Sequence, residues 1–139
     1  MKTKIIVLCG SSKYTDIMAV AAWLLEKKEG AITMGLHLLP DWYFEKPVSD
    51  HLAEHEGVAP AMDELHMCKI DLCDEIFVIN YNDYIGSSTT NEIKYAQKHG
   101  KPIRWYTHDD IGQEIDEILK EAQIRFMNIN INAEKGESQ

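Results

Sequence analysis

Positive charge is scarce in this chain. Its 139 residues carry 14 Lys and Arg against 23 Asp and Glu, a formal net charge of −9 with histidine neutral. Non-specific binding to DNA, RNA or an anionic membrane needs a field of Lys and Arg, so nucleic acid polymers and membranes are not expected partners. Any phosphate must be held locally. Cysteine is scarce too: Cys9, Cys68 and Cys73 cannot all pair, and Cys68 and Cys73 are five residues apart, on different faces of a helix. Reduced thiols in or near a core, in a cytoplasmic setting, are the expectation. Long apolar runs are missing as well, since the run at residues 5–9 is far short of a signal-peptide core or a membrane span. No internal repeat and no dividing linker is present. What remains, 45% hydrophobic and 27% charged residues, suits a single globular domain, expected over residues 1–132 with residues 133–139 as a disordered tail.

The apolar run before Gly10-Ser11-Ser12 has the pattern of a strand buried on both faces. Thr15 and Asp16 then offer helix-start chemistry before Ile17, Val20, Ala21, Leu24 and Leu25 repeat at helical spacing, and Gly30 ends the segment. Further strands are predicted over residues 31–36, 75–80 and 102–107, with an amphipathic helix over residues 89–99. A last helix is expected over residues 111–126, followed by a short edge strand at residues 128–132, where Asn and Ile alternate. Strands alternating with helices predict an α/β fold. The expected architecture is one doubly wound, Rossmann- or flavodoxin-like parallel sheet of about five strands, helices on both faces.

In open parallel sheets, ligands bind beyond the carboxyl ends of the strands where strand order reverses. Two turns qualify. The first, Gly10-Ser11-Ser12-Lys13-Tyr14, lets backbone N–H groups approach an anion. The second runs from Asn80 through Gly86-Ser87-Ser88-Thr89 to Glu92, where exposed N–H groups at a helix start favour a negative ligand group. Thr89-x-x-Glu92 also fits a capping box, in which the glutamate merely returns to its own backbone.

On the helix before the third strand, Leu65, Cys68 and Leu72 form the expected buried stripe. Asp63 and His66, three residues apart, then share a neighbouring face, where the carboxylate can orient the imidazole or both can simply be solvated. Between residues 37 and 60 lies a long connection carrying Trp42, Tyr43 and Phe44. It is either a functional loop or one folded on its own cluster. The same connection contains His51-Leu-Ala-Glu54-His55, matching the zinc pattern H-x-x-E-H. Pro47 and Gly57 leave room for barely two turns, so the match reads as chance, and no metal or other cofactor is expected.

With these residues in place, the chain resembles the nucleoside 2-deoxyribosyltransferase-like superfamily. The resemblance rests on Gly10-Ser11, on Asp63-Glu-Leu-His66-Met-Cys-Lys69-Ile-Asp-Leu-Cys-Asp74, and on Tyr84-Ile-Gly86-Ser-Ser-Thr-Thr-Asn-Glu92-Ile-Lys-Tyr95-Ala-Gln-Lys-His-Gly-Lys-Pro102. It spans residues 4–107 and is most specific in its second half; the middle loop matches poorly. More distantly, the chain is similar to lysine-decarboxylase-like phosphoribohydrolases, although their catalytic arginine and double glycine have no counterpart here.

The resemblance implies a hydrolase or transferase acting on the N-glycosidic bond of a nucleoside or nucleoside 5′-monophosphate, with Glu92 as nucleophile. The slot that the deoxyribosyltransferases and deoxynucleoside 5′-phosphate N-hydrolases fill with aspartate is His66 here, and His66 with Asp63 would assist the leaving base or activate water. It further implies Ser11, Ser12 and Tyr14 as ribose or phosphate contacts, and Ser87, Ser88 and Thr89 as the 5′-phosphate region. Trp42 is a candidate base-stacking residue. A homodimer or larger homo-oligomer is implied too. The alternative is a non-catalytic nucleotide sensor on the same fold, with Glu92 only capping its helix.

Overall fold

A computed structural model describes residues 2–39, 41–43 and 52–137. The strands are β1 (Ile5–Gly10), β2 (Ile32–Met34), β3 (Glu75–Ile79) and β4 (Ile103–Trp105). They form one all-parallel sheet in the order β2-β1-β3-β4. The helices are α1 (Thr15–Glu29), α2 (Leu52–His55), α3 (Ala59–Leu72), α4 (Ser87–Lys98) and α5 (Asp110–Glu137). This is the α/β architecture that the alternation predicts, with four strands among the described residues where about five were expected.

The missing strand has a clear fate. Residues 128–132, expected at the sheet edge, continue α5, and so does the backbone of residues 133–137. Extending an existing helix adds a hydrogen bond for each residue fixed, and neither Pro nor Gly interrupts residues 113–135. Five residues of Asn-Ile alternation do not outweigh that.

Strand parity sorts the core into two layers. Ile6 and Leu8 of β1 join Phe77 and Ile79 of β3 against α1 and α5. Val7 and Cys9 join Ile76 and Val78 in the layer that holds Ile70 of α3 and Ile93 and Ala96 of α4. Complete burial of each Ile or Phe contributes roughly 1.5–3 kcal/mol, so these two central strands dominate the core. β1 leads to β2 on one side while β3 leads to β4 on the other, so strand order reverses between β1 and β3. Their carboxyl ends meet at the Gly10–Ile79 pair. A Cβ on Gly10 would lie 3.1 Å from the Ile79 Cβ, so glycine lets the two strands close at this point.

The buried face of α3 differs from expectation. Leu65 and Leu72 are 45% and 67% exposed and Cys68 is exposed, whereas His66 and Ile70 are buried. Both faces carry apolar residues at helical spacing. Reading histidine as polar selects the wrong one, because the spacing His66, Ile70 turns inward only if the imidazole finds partners inside.

Candidate active site

Helix α4 begins at Ser87 with Gly86 as its N-cap, two residues ahead of the expected start, and the Thr90 Oγ1 donates to the Gly86 carbonyl. Glu92 therefore stands in the second turn, away from the unpaired N–H groups, and the capping-box alternative is excluded. The helix buries Thr89, Glu92, Ile93 and Ala96. That is an i, i+3, i+4, i+7 stripe, and it carries the carboxylate inward with its apolar neighbours.

Glu92 meets His66 there. The His66 Nε2 lies 3.4 Å from the Glu92 Oε2, with the two side chains 4% and 7% exposed. The same Nε2 lies 3.4 Å from the Cys9 Sγ, which the parity of β1 aims at this layer. The Glu92 Oε2 accepts no hydrogen bond, and the His66 Nδ1 is likewise unpartnered. Desolvation favours the neutral form of each group. Burial, with the Asp63 charge behind it, pushes the Glu92 carboxyl up to about 8. Burial, with the Lys69 and His37 charges behind it, pushes the His66 imidazole down to about 4. Burial also holds the Cys9 thiol well above its usual range, reinforced by the Glu92 and Cys73 charges.

Glu92 and His66 border a cavity of about 450 Å³, within the range that encloses small ligands, and Cys9 lies behind them. Gly10, Ser11 and Ser12 form its wall at the end of β1, Gly86, Ser87, Ser88 and Thr89 its wall at the start of α4, and Asp63, His66 and Glu92 the side between. The two turns singled out from the sequence thus converge on one hollow at the strand-order reversal. The arrangement sets Glu92 on the cavity wall with its Oε2 buried and unpartnered, 3.4 Å from the His66 Nε2.

Other expected residues are placed elsewhere. Asn80 is buried with both ends of its amide engaged, Nδ2 donating to the Thr107 Oγ1 at 2.9 Å and Oδ1 accepting from the Thr107 N–H at 3.2 Å. It ties β3 to the turn after β4 and does not line the cavity. Tyr14 packs edge-on against Tyr81 and Tyr84, with ring centroids 5.3 and 6.2 Å apart, and serves as a packing residue at the helix entry. Trp42 is 83% exposed and is not among the described residues that line the cavity. Asp63 is exposed on the cavity wall, and the unpartnered Nδ1 shows that it does not orient the imidazole by a hydrogen bond. Phe44 and His51 lie outside the described residues, as does the side chain of His55.

The sequence reading missed Cys9, Tyr84, His37 and Lys69. Lys69 reaches across to donate from Nζ to the Gly35 carbonyl at 2.7 Å, closing the cavity wall beside β2. Strand parity was the available signal for Cys9, since it shares a face with Val7. Compared against protein-family models and against curated proteins, the chain matches none. No helix among the described residues is long and apolar enough to cross a membrane.

Proposed function

We propose that the protein cleaves or transfers the N-glycosidic bond of a nucleoside or nucleoside 5′-monophosphate, with Glu92 as the nucleophile. The observation that carries this reading is the Glu92 carboxyl itself: buried, unpaired with backbone, and at the edge of a cavity of ligand size. Burying such a group without a hydrogen-bond partner costs stability, which a purely structural residue has no reason to incur.

Burial favours the neutral form of the pair, with the proton on Glu92. Its transfer over 3.4 Å to the His66 Nε2 produces a carboxylate and an imidazolium together. As the sugar C1′ gains positive character, a carboxylate in a site of low polarity stabilises it far better than water does. The Glu92 oxygen then bonds to C1′ as the C1′–N bond breaks. The base nitrogen keeps the bonding pair and takes a proton from water, and the resulting hydroxide attacks C1′ with retained configuration, releasing the Glu92 carboxylate, which takes its proton back from His66.

The spacing revises one expected role. Acid and nucleophile on opposite sides of a sugar stand about 5–5.5 Å apart in retaining enzymes, so an imidazole at 3.4 Å shares the nucleophile's side. His66 therefore handles the Glu92 proton and does not donate to the leaving base. The N–H groups at Ser87, Ser88 and Thr89 offer the natural place for a 5′-phosphate.

Incubation with a panel of nucleosides and their 5′-monophosphates, followed by chromatographic detection of free base, tests the proposal. Release of one base class supports it, and no release across the panel counts against it. Thermal stabilisation by a nucleotide without product would instead support the sensor.

A further inference from the structure

We propose that the Cys9 Sγ, the His66 Nε2 and a Glu92 carboxylate oxygen form a three-ligand site for a zinc-type divalent cation, with the fourth position open to the cavity. The three ligand atoms lie within 4.8 Å of one another and all three residues are buried. This proposal does not depend on the N-glycosidase reading. It also differs from the H-x-x-E-H pattern at residues 51–55, with which it shares no residue.

Geometry supports it first. Tetrahedral zinc has bonds of about 2.3 Å to sulfur and about 2.0–2.1 Å to nitrogen and oxygen, which separates S from N by about 3.6 Å and N from O by about 3.4 Å. The observed separations are 3.4 Å for Cys9 Sγ to His66 Nε2 and 3.4 Å for His66 Nε2 to Glu92 Oε2. The third pair, the Cys9 Sγ and the Glu92 oxygen, lies within 4.8 Å and closes to about 3.6 Å when both bind one tetrahedral ion.

Chemistry supports it second. Thiolate, imidazole and carboxylate are each zinc ligands, and three protein ligands with one open position is the pattern of an accessible zinc centre. The Glu92 Oε2 is buried without a hydrogen-bond partner and lies 3.4 Å from the His66 Nε2. A cation supplies the partner that the protein does not. Loading the site forms metal–S, metal–N and metal–O bonds and displaces the thiol and carboxyl protons to solvent.

Two consequences follow. The His66 Nδ1 has no protein partner to fix the ring, so affinity should be moderate and metal should be removable by chelators. An ion at this point occupies Glu92, so metal loading and nucleophilic attack by that carboxylate exclude each other.

Co2+ is the direct probe, because cobalt bound to thiolate gives an intense charge-transfer band in the near ultraviolet. One equivalent of Co2+ added to the chelator-treated protein should produce that band, and one equivalent of Zn2+ should remove it. Cys9→Ser should abolish the band and Cys68→Ser should leave it unchanged. Glu92→Gln, which keeps the shape of the side chain, should retain the band but weaken Co2+ binding by more than the about 10–100-fold loss that removing an outer partner costs. Absence of the band in the native protein overturns the proposal, as does a band that survives Cys9→Ser. Should Cys9→Ser lose its fold by circular dichroism, Glu92→Gln decides: unchanged affinity there places the metal elsewhere.

Discussion

The His66 Nε2 stands 3.4 Å from the Glu92 Oε2 at the edge of the cavity, two side chains from different helices that meet only because both α3 and α4 turn a polar residue inward. Each belongs to a helix stripe that is otherwise apolar or small. Their burial removes water from a carboxyl and an imidazole at once, and so joins packing to chemistry.

If this carboxyl is present for catalysis, removing its acidity should cost activity and spare the fold. Glu92→Gln is expected to lower N-glycosidase activity by about a thousandfold or more. In metal-free buffer its unfolding free energy should stay within about 1 kcal/mol of the parent, or rise, since no backbone hydrogen bond is lost. Steady-state kinetics and urea denaturation check the two halves separately.

The buried face of α3 makes a paired test. Ile70 is fully buried while Leu72 is 67% exposed. Ile70→Ala should destabilise by about 2–5 kcal/mol, and Leu72→Ala should change stability by no more than about 0.5 kcal/mol. Equal losses would return the helix to the face expected from its leucines.

Gly112 sits where α5 crosses the turn after β4, and a Cβ there would overlap the Tyr106 carbonyl oxygen. Backbone, unlike a side-chain tip, cannot yield cheaply. Gly112→Ala should therefore cost more than about 3 kcal/mol, beyond the usual penalty for overpacking, as measured by thermal or urea unfolding.

Arg104 gathers three carboxylates, contacting Glu29 at 2.8 Å, Asp109 at 2.9 Å and Glu75 at 3.2 Å. Its hydrogen bond holds Glu29 below the ordinary 4.5. For Asp109, burial pushes upward, but the Arg104 hydrogen bond, the Ile111 N–H and the Arg104 charge together leave it below 3.8. Folded values below the unfolded ones mean stability that is present above those ordinary values and lost as pH falls through the folded ones. Unfolding free energy should thus decline below about pH 4.5, and less steeply in Arg104→Leu, which should also cost about 1–3 kcal/mol near neutrality. Urea titrations at a series of pH values would show an unchanged slope if the cluster contributes nothing.

Much of this was readable because β1 and β3 are unbroken apolar runs that only a doubly covered strand explains, and because small polar residues follow both. The sequence alone assigns Gly10 to Ser12 and Gly86 to Glu92 to one end of the sheet. Cys9 is legible as a reduced thiol in or near the core but not as a neighbour of the site, because a buried thiol looks like any small core residue and only parity places it beside His66. Asn80 and Tyr14 sit in the correct turns, yet hydrogen bonds to Thr107 and ring contacts with Tyr81 and Tyr84 direct them into the framework. Such choices depend on neighbours distant in sequence. The Asn-Ile alternation at residues 128–132 was misleading because five residues suit a strand and a helix continuation equally well.

The most direct test of the central claim is mass spectrometry of the protein incubated with 2′-fluorinated nucleosides, whose electron-poor sugar slows release of a glycosyl-enzyme ester. The account predicts a mass gain of one sugar on the peptide containing Glu92, absent in Glu92→Gln. Release of free base by Glu92→Gln at the parent rate, with no sugar ever found on that peptide, would contradict it.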